Sequence, residues 1–260
     1  MKNILISNDD GVLAPGIFAT KCALENFSNV TVVAPQENNS GVGRLISNFK
    51  PLNLKEYSLE DGFKAYGVSG SPADSVNVGI NYVFDEKPDL VVSGINTGVN
   101  IGKGEILSSG TVCAGIEAVS HGVPAIACSL FIDPDSFVQY GDEWRIEADF
   151  EFAKEILASV TKKVLKKGLP EGINLLNLNI PAKPVSSEIK VTRLAENMLR
   201  PNVVNSKDDK GNDCVMISPH LIEEYDEGTD GYCLMVEKRP SLTPLNIDLT
   251  GNLDLLENWL

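Results

Sequence analysis

The chain opens on an apolar run, Ile4-Leu5-Ile6, that passes into Ser7-Asn8-Asp9-Asp10-Gly11-Val12. An apolar run of strand length that ends in turn residues reads as a strand covered on both faces, the habit of parallel sheets. Similar runs recur at Val30 to Ala34, Phe63 to Val68, Leu90 to Ser93, Pro124 to Leu130 and Ile173 to Ile180. Helical spacing fills the gaps between them. Pro15 to Phe27 carries Ile17, Phe18, Cys22 and Leu24 on or near one face, and a helix opened by Pro72 turns Val76, Ile80 and Val83 inward. Another starts at Ser109-Gly110-Thr111-Val112 and closes at His121-Gly122, and Ala148 to Lys167 buries Phe152, Ile156, Leu157, Val160 and Val164. Alternating strands and helices predict a three-layer, Rossmann-like α/β domain over residues 1–185, with a mostly parallel sheet and its first strand central.

After Pro181-Ala182-Lys183-Pro184 the pattern changes. Ile189 to Leu194, Cys214 to Ser218 and Tyr232 to Lys238 read as isolated strands between polar loops such as Asn205 to Asp213. Strands without covering helices cannot bury themselves, and an unpaired edge invites another chain. Residues 186–260 are therefore expected to form a strand-rich, hairpin-like oligomerisation extension. Tyr232 to Lys238 is the candidate exchanged strand, and Leu253, Leu255, Leu256 and Trp259 would dock a terminal helix. The alternative is that these strands fold back as an extra edge of their own sheet.

The chemistry concentrates in the loops that follow strands, where open α/β sheets bind ligands. Asp9 and Asp10 are adjacent carboxylates at such a place. Side by side they repel, and a hard divalent cation is their natural partner; the plainer alternative is a helix cap before Pro15. The polar loop Gln36 to Arg44, which contains Ser40, either reaches the same crevice or is a solvated surface loop. Gly94 to Gly110 is a long glycine-rich stretch holding Asn96, Asn100, Gly98, Gly102 and Gly104, and loops of that length tend to be functional. It leads into Ser109-Gly110-Thr111, which reads equally as an anion site at a helix N-terminus or as an ordinary N-cap. Lys103-Gly104-Glu105 does not complete a Walker A loop, and no G-x-G-x-x-G follows the first strand. His121 reads as a structural cation at a helix C-terminus.

Composition narrows the field. With 260 residues, 43% hydrophobic, the chain can build a large core, and a net charge of -14 argues against a nucleic-acid polymer as ligand. Five scattered cysteines (Cys22, Cys113, Cys128, Cys214, Cys233) form no C-x-x-C pair and read as reduced, buried thiols. No stretch approaches 18 apolar residues, and the chain starts on a strand instead of a signal-like run, so no membrane role and a cytoplasmic location are expected. Phe131 to Glu147, with Asp133, Asp135, Asp142 and Glu143, reads as an acidic surface excursion.

Taken together, these residues resemble the SurE family, the survival-protein E nucleotidases. The resemblance rests on Ser7-Asn8-Asp9-Asp10-Gly11-Val12 with Ala14-Pro15-Gly16-Ile17, on Ala34-Pro35 to Ser40-Gly41, and on Ser71-Pro72-Ala73-Asp74. It rests above all on Pro88-Asp89-Leu90-Val91-Val92-Ser93-Gly94-Ile95-Asn96 followed by Gly98, Asn100, Gly102 and Ser109-Gly110-Thr111-Val112. The resemblance implies a divalent-metal-dependent phosphatase acting on nucleoside 5'- and 3'-monophosphates, with short polyphosphate as a further substrate. It implies one cation per subunit (Mg, Mn or Co) held by Asp9, Asp10, Ser40 and Asn96. Asp9, Asp10, Asn96 and Ser109 would be catalytic, and Asn96, Asn100, Ser109, Gly110 and Thr111 would hold the phosphate. A homodimer built through an exchanged hairpin, and a tetramer of two such dimers, follow from the same likeness. Ser108 departs from the family's usual Tyr.

Two other readings compete. An aspartyl-phosphate phosphatase of the haloacid dehalogenase type would align Asn8-Asp9-Asp10-Gly11-Val12 with its D-x-D-G-[TV] signature, but its nucleophile would then be Asn8, and an amide cannot serve. A nucleotide-sensing module that binds without turnover would use the same atoms. Phosphate release in the presence of a metal separates it from an enzyme.

Overall fold

The structure, a computed structural model, describes residues 1–132, 137–140, 143–146, 148–222 and 224–260. Its centre is a nine-stranded sheet. In chain order the first strands are β1 (Lys2–Ser7), β2 (Ser28–Pro35), β3 (Leu54–Ser58), β4 (Lys64–Val68), β5 (Leu90–Thr97) and β6 (Ala125–Leu130). Further along come β7 (Phe137–Tyr140), β8 (Glu143–Ile146), β9 (Leu175–Ile180), β10 (Lys190–Val191), β11 (Leu199–Arg200), β12 (Val203–Lys207), β13 (Asp213–Ile217), β14 (His220–Leu221) and β15 (Ser241–Leu245). The sheet runs β10-β15-β9-β6-β5-β1-β2-β4-β3. Its six middle strands, β9 to β4, are parallel, and β3 and β15 flank them antiparallel.

The unbroken apolar runs have the expected cause, because both faces of the sheet are covered. Along β1, Ile4 and Ile6 join one core with Ile17 and Leu24 of α1 (Pro15–Leu24) and Ile156 and Leu157 of α5 (Glu151–Lys167). Leu5, between them, points the other way. It joins Val76 of α2 (Pro72–Val78) and Val112 and Ala114 of α4 (Gly110–Ser120). Burying each of the Ile, Leu and Val side chains among these stabilises the fold by about 1.5–3 kcal/mol. The α2 start is fixed by a reciprocal cap: Ser71 Oγ accepts from Asp74 N at 3.0 Å, and Asp74 Oδ2 accepts from Ser71 N at 2.9 Å.

The C-terminal third departs from expectation in four ways. Tyr232 to Lys238 is not an exchanged strand: α6 (Asp230–Met235) occupies it, started by Thr229 Oγ1 accepting from Tyr232 N at 3.2 Å, and it buries Cys233 and Leu234. The N-cap pair Thr229-Asp230 is the local signal for this helix. The sheet does not stop at residue 185, since β15 pairs Leu175 to Asn179 of β9 and carries β10 on its outer side. Part of the extension has therefore folded back onto its own sheet. The rest is a ribbon in which β12 pairs β13 and β11 pairs β14, with β13 exposed throughout. Finally, the terminal helix α7 (Leu253–Trp259) is not docked: Leu253 is 62% and Trp259 80% exposed.

The strand β3 was not foreseen, because Leu54-Lys55-Glu56-Tyr57-Ser58 alternates only weakly and lies at the sheet edge. Among the cysteines, Cys113, Cys128 and Cys233 are buried, but Cys214 lies exposed on β13. Asp133, Asp135 and Asp142 of the expected acidic excursion lie outside the described residues. Among the described residues, no helix is long and apolar enough to cross a membrane.

Candidate functional site

Two arms of the chain leave the middle of the sheet in opposite directions. From β1 the chain steps to β2 and β4 on one side, and from β5 it steps to β6 and β9 on the other. The strand order therefore reverses between β1 and β5, and the crevice at the carboxyl ends of such a pair is where open α/β sheets hold ligands. Asp9 and Asp10 follow β1, and Asn96 lies near the end of β5. One residue on from Asn96, Thr97 offers both its backbone N and its Oγ1 to Asp10 Oδ2, each at 3.1 Å. The acid pair and the Asn96 corner are thus joined directly.

Asn8 sets the turn. Its side-chain Nδ2 donates to Gly11 O at 3.0 Å and its Oδ1 accepts from Gly11 N at 3.2 Å, a pairing that needs both a donor and an acceptor on one short side chain. Gly11 holds a φ of 110°, a conformation that favours glycine. The turn aims Asp9 at the start of α4, where Thr111 Oγ1 donates to Asp9 Oδ1 at 2.5 Å. Contact is so close that a Cβ at Gly110 would lie 2.6 Å from Asp9 Cβ, which is why a glycine stands there.

Asp9 is 4% exposed. Burial pushes its carboxyl up from 3.8 to about 6, and the charge of Asp10 adds to the rise while the Thr111 hydrogen bond opposes it. Asp10 is raised as well, again by burial, against the lowering effect of its bonds from Thr97. Both acids sit in a place that disfavours their charge, and a cation would offset that cost.

Ser109 is the N-cap of α4, its Oγ accepting from Val112 N at 3.1 Å. With Val112 N capped by Ser109 and the Thr111 hydroxyl turned to Asp9, the opening turn of α4 is the positive end of a helix pointed into the crevice. The preceding stretch is more regular than its glycines suggest: β5 runs on to Thr97, and a short helix, α3 (Lys103–Ser108), precedes Ser109. Asn100 is used inward. Its backbone N donates to Asn179 Oδ1 at 2.9 Å, its Nδ2 to Ser129 Oγ at 2.8 Å, and its carbonyl accepts from the side chains of Asn177 and Asn179. Ser108 is exposed at the rim, with its Oγ bonded to Glu105 O.

Ser40 is brought to the same edge by the backbone. Asn39 N donates to Asp9 O at 2.7 Å, and Val12 N donates to Pro35 O at 2.7 Å, so the loop after β2 lies along the acid turn. Ser40 itself is exposed. A polar cavity of about 360 Å³, lined by Gln36, Glu37, Asn39, Ser47, Ser69 and Ser71 among others, opens beside this loop.

Residues that local sequence did not single out support the site. Thr97 grips Asp10. Asp230, fully buried, accepts from the backbone N of Gly102, Ala195 and Gly231 and so ties the C-terminal part of the chain to the loop before α3. Thr97 could have been suspected from its place beside Asn96, but nothing near Asp230 in sequence points to Gly102. His121 lies 3.0 Å by Nε2 from Glu117 Oε1, at the far end of α4.

Asp9, Asp10, Ser40 and Asn96 offer two carboxylates, a hydroxyl and an amide oxygen. This all-oxygen set fits a hard divalent cation and not a soft one. Among the described residues no group of three or more His, Cys, Asp or Glu gathers to hold a metal.

Fold and site define a Rossmann-like α/β protein with an acidic, oxygen-lined crevice facing a helix N-terminus. Residues 4–201 match the model of the family described as survival protein SurE, and the chain belongs to that family. It is 44% identical over 256 residues to a protein of Methanobrevibacter smithii named 5'-nucleotidase SurE, covering 98% of each chain. A protein of the same name from Archaeoglobus fulgidus is 42% identical over 259 residues, covering 98% of this chain and 96% of its own. The crystal structure of the Sure protein from Aquifex aeolicus superposes with a TM-score of 0.79 at 35% identity, over 98% of this chain and 97% of that one.

Proposed function

We propose that this protein is a divalent-cation-dependent phosphomonoesterase that hydrolyses nucleoside 5'-monophosphates to nucleoside and phosphate. The observation that carries the reading is the pairing of adjacent carboxylates, Asp9 buried and Asp10 half-buried, with the N-terminus of α4 through the bond from Thr111 to Asp9. Asp9, Asp10, Ser40 and Asn96 would hold one cation, Mg, Mn or Co, which supplies Lewis-acid charge to a phosphoryl group. Ser109, Gly110 and Thr111 would receive the phosphate at the positive end of α4, joined by Asn96. Asn100 would act at one remove, by fixing the loop that presents these groups. Asn8 is committed to the Gly11 backbone, which weighs against a covalent aspartyl-phosphate route through that position. Nucleoside 3'-monophosphates and short polyphosphate present the same terminal phosphoryl group and belong to the expected range.

The exposed apolar side chains of α7 and of the β12–β13 ribbon support assembly as a homodimer, and two dimers would make a tetramer. Catalysis over residues 1–185 and association over 186–260 is the functional division we propose, working in the cytoplasm, with β10 and β15 of the second part completing the sheet of the first. The deciding experiment measures phosphate released from AMP, GMP and 3'-AMP with Mg²⁺, Mn²⁺ or Co²⁺ and after chelation. Turnover that disappears with chelator is expected; tight nucleotide binding with no phosphate released under any metal would make the protein a sensor.

A further inference from the structure

Between Pro35 and Ser47 the chain forms a strap that runs from the end of β2 to the junction of α3 and α4. Its near end is tied to the acid turn by Asn39 N donating to Asp9 O. Its far end is tied to the junction by Gly43 N donating to Ser108 O at 2.9 Å, and a Cβ at Gly43 would come within 3.2 Å of Leu107 O. Farther on, Ser47 N donates to Asp74 Oδ1 at 2.8 Å. Ser40 lies between the first two ties and makes no side-chain hydrogen bond among the described residues. With glycines at 41 and 43, the free strap would have much entropy to lose on ordering.

Both charged residues of the strap, Glu37 and Arg44, are exposed, but Arg44 is anchored at its guanidinium. Arg44 Nε donates to Glu117 Oε2 at 2.8 Å, one of its terminal nitrogens lies 2.7 Å from the same oxygen, and that nitrogen also donates to Ser120 Oγ at 3.3 Å. Glu117 lies on α4, about two turns beyond the phosphate-facing end, and is 3% exposed. Its other oxygen accepts from Asn77 Nδ2 of α2 at 3.2 Å and faces His121 Nε2. A buried carboxylate needs partners to persist, and Arg44 is the one partner here that is charged at every physiological pH. The fork of Arg44 thus fastens the strap to the helix that presents Thr111 to Asp9.

We propose that Arg44 is a positioning residue for the cation site: through Glu117 it holds the strap so that the Ser40 hydroxyl stays presented to Asp9 and Asp10. This rests on Ser40 being a ligand, as read above. A strap that spends part of its time detached lowers apparent cation affinity by the fraction of time it is closed.

Two measurements test it on the full chain: hydrogen–deuterium exchange of the backbone amides of residues 39–46, and calorimetric titration with Mn²⁺. In Arg44→Ala, exchange at Gly41 to Leu45 is expected to rise about tenfold with α4 still protected, and the Mn²⁺ Kd to rise about tenfold. Arg44→Lys keeps the charge without the fork. It should fall between the two and serves as the variant to read if the alanine change impairs folding. Ser40→Ala should weaken Mn²⁺ without altering strap exchange, and the Ser40→Ala, Arg44→Ala double variant should bind Mn²⁺ no more weakly than Ser40→Ala alone. Unchanged strap exchange in Arg44→Ala overturns the proposal, as does a double variant whose losses multiply. If Ser40→Ala leaves Mn²⁺ affinity unaltered, the proposal falls while the role of Asp9 and Asp10 stands. If the intact chain binds no Mn²⁺, the cation reading and the proposal fall together.

Discussion

Thr111 donates its hydroxyl to Asp9 across 102 positions of sequence, at 2.5 Å. This bond joins the turn after β1 to the start of α4 and so holds an acid against a helix N-terminus. Thr111→Val keeps the shape and removes the donor. A hydrogen bond to a charged group is worth about 1.5–3 kcal/mol, so the variant should lose roughly that in denaturant unfolding and, on the proposed mechanism, ten- to a hundredfold in kcat/KM. Wild-type stability and turnover would show that the bond is incidental.

Asp10→Asn replaces a carboxylate with an amide that can still accept from Thr97 through its oxygen. The fold should persist while phosphate release at saturating Mn²⁺ drops by two orders of magnitude or more. An exposed control, Asp248→Asn, should leave turnover within twofold. Retained turnover in Asp10→Asn would reduce the acid pair to a cap.

The raised carboxyl of Asp9 gives stability a definite pH dependence in the presence of chelator. The group titrates near 6 when folded and near 3.8 when unfolded, so the folded state holds its proton more tightly. Its contribution is complete below pH 3.8 and is lost as pH rises through 6, by about 3 kcal/mol. A cation relieves that loss, so the thermal shift on adding Mn²⁺ should be much larger at pH 7.5 than at pH 4.5. Equal shifts at both pH values would contradict a cation at Asp9.

Asn8→Asp tests the amide clamp. The aspartate keeps the acceptor for Gly11 N but loses the donor to Gly11 O and adds a buried carboxylate beside Asp9 and Asp10. Unfolding free energy should fall by about 1–3 kcal/mol, and no phosphoenzyme should be trapped by acid quench from either form. A stable acyl phosphate on the intact chain would restore the covalent route.

Light scattering of the intact chain should give about twice its 28.1 kDa mass, or four times for the tetramer. Cutting the chain at Pro184 would be a poor test, because it strips β15 from β9 and exposes the core. Replacing residues 203–217 by a short Asn-Gly turn removes only the exposed ribbon. Loss of the dimer with unchanged thermal stability is expected, and a monomeric intact chain would refute the assembly.

The alternation of apolar runs with helical spacing was enough to read the parallel sheet, because a strand covered on both faces must be apolar throughout. The places of the acid pair after β1 and of Ser109-Gly110-Thr111 at the start of α4 were equally legible, since turns and helix starts need particular residue types, whereas Asn96 lies inside β5, where a loop was expected. The C-terminal third was less so. Ser241-Leu242-Thr243-Pro244-Leu245 is a strand only because β9 offers it an unpaired edge, and Tyr232 to Met235 is helical because Thr229 caps it and Leu234 finds a core to enter. Which parts of the chain meet was beyond local sequence. Thr97 on Asp10, Thr111 on Asp9, Asp230 on Gly102 and Arg44 on Glu117 are contacts between distant segments whose partners are chosen by strand order and helix placement. The sequence by itself determined the elements and the reactive groups, through backbone preference and hydrophobic periodicity acting over a few residues. Only the tertiary structure decided which groups face one another and at what burial, because burial and long-range hydrogen bonding exist only once the sheet has closed.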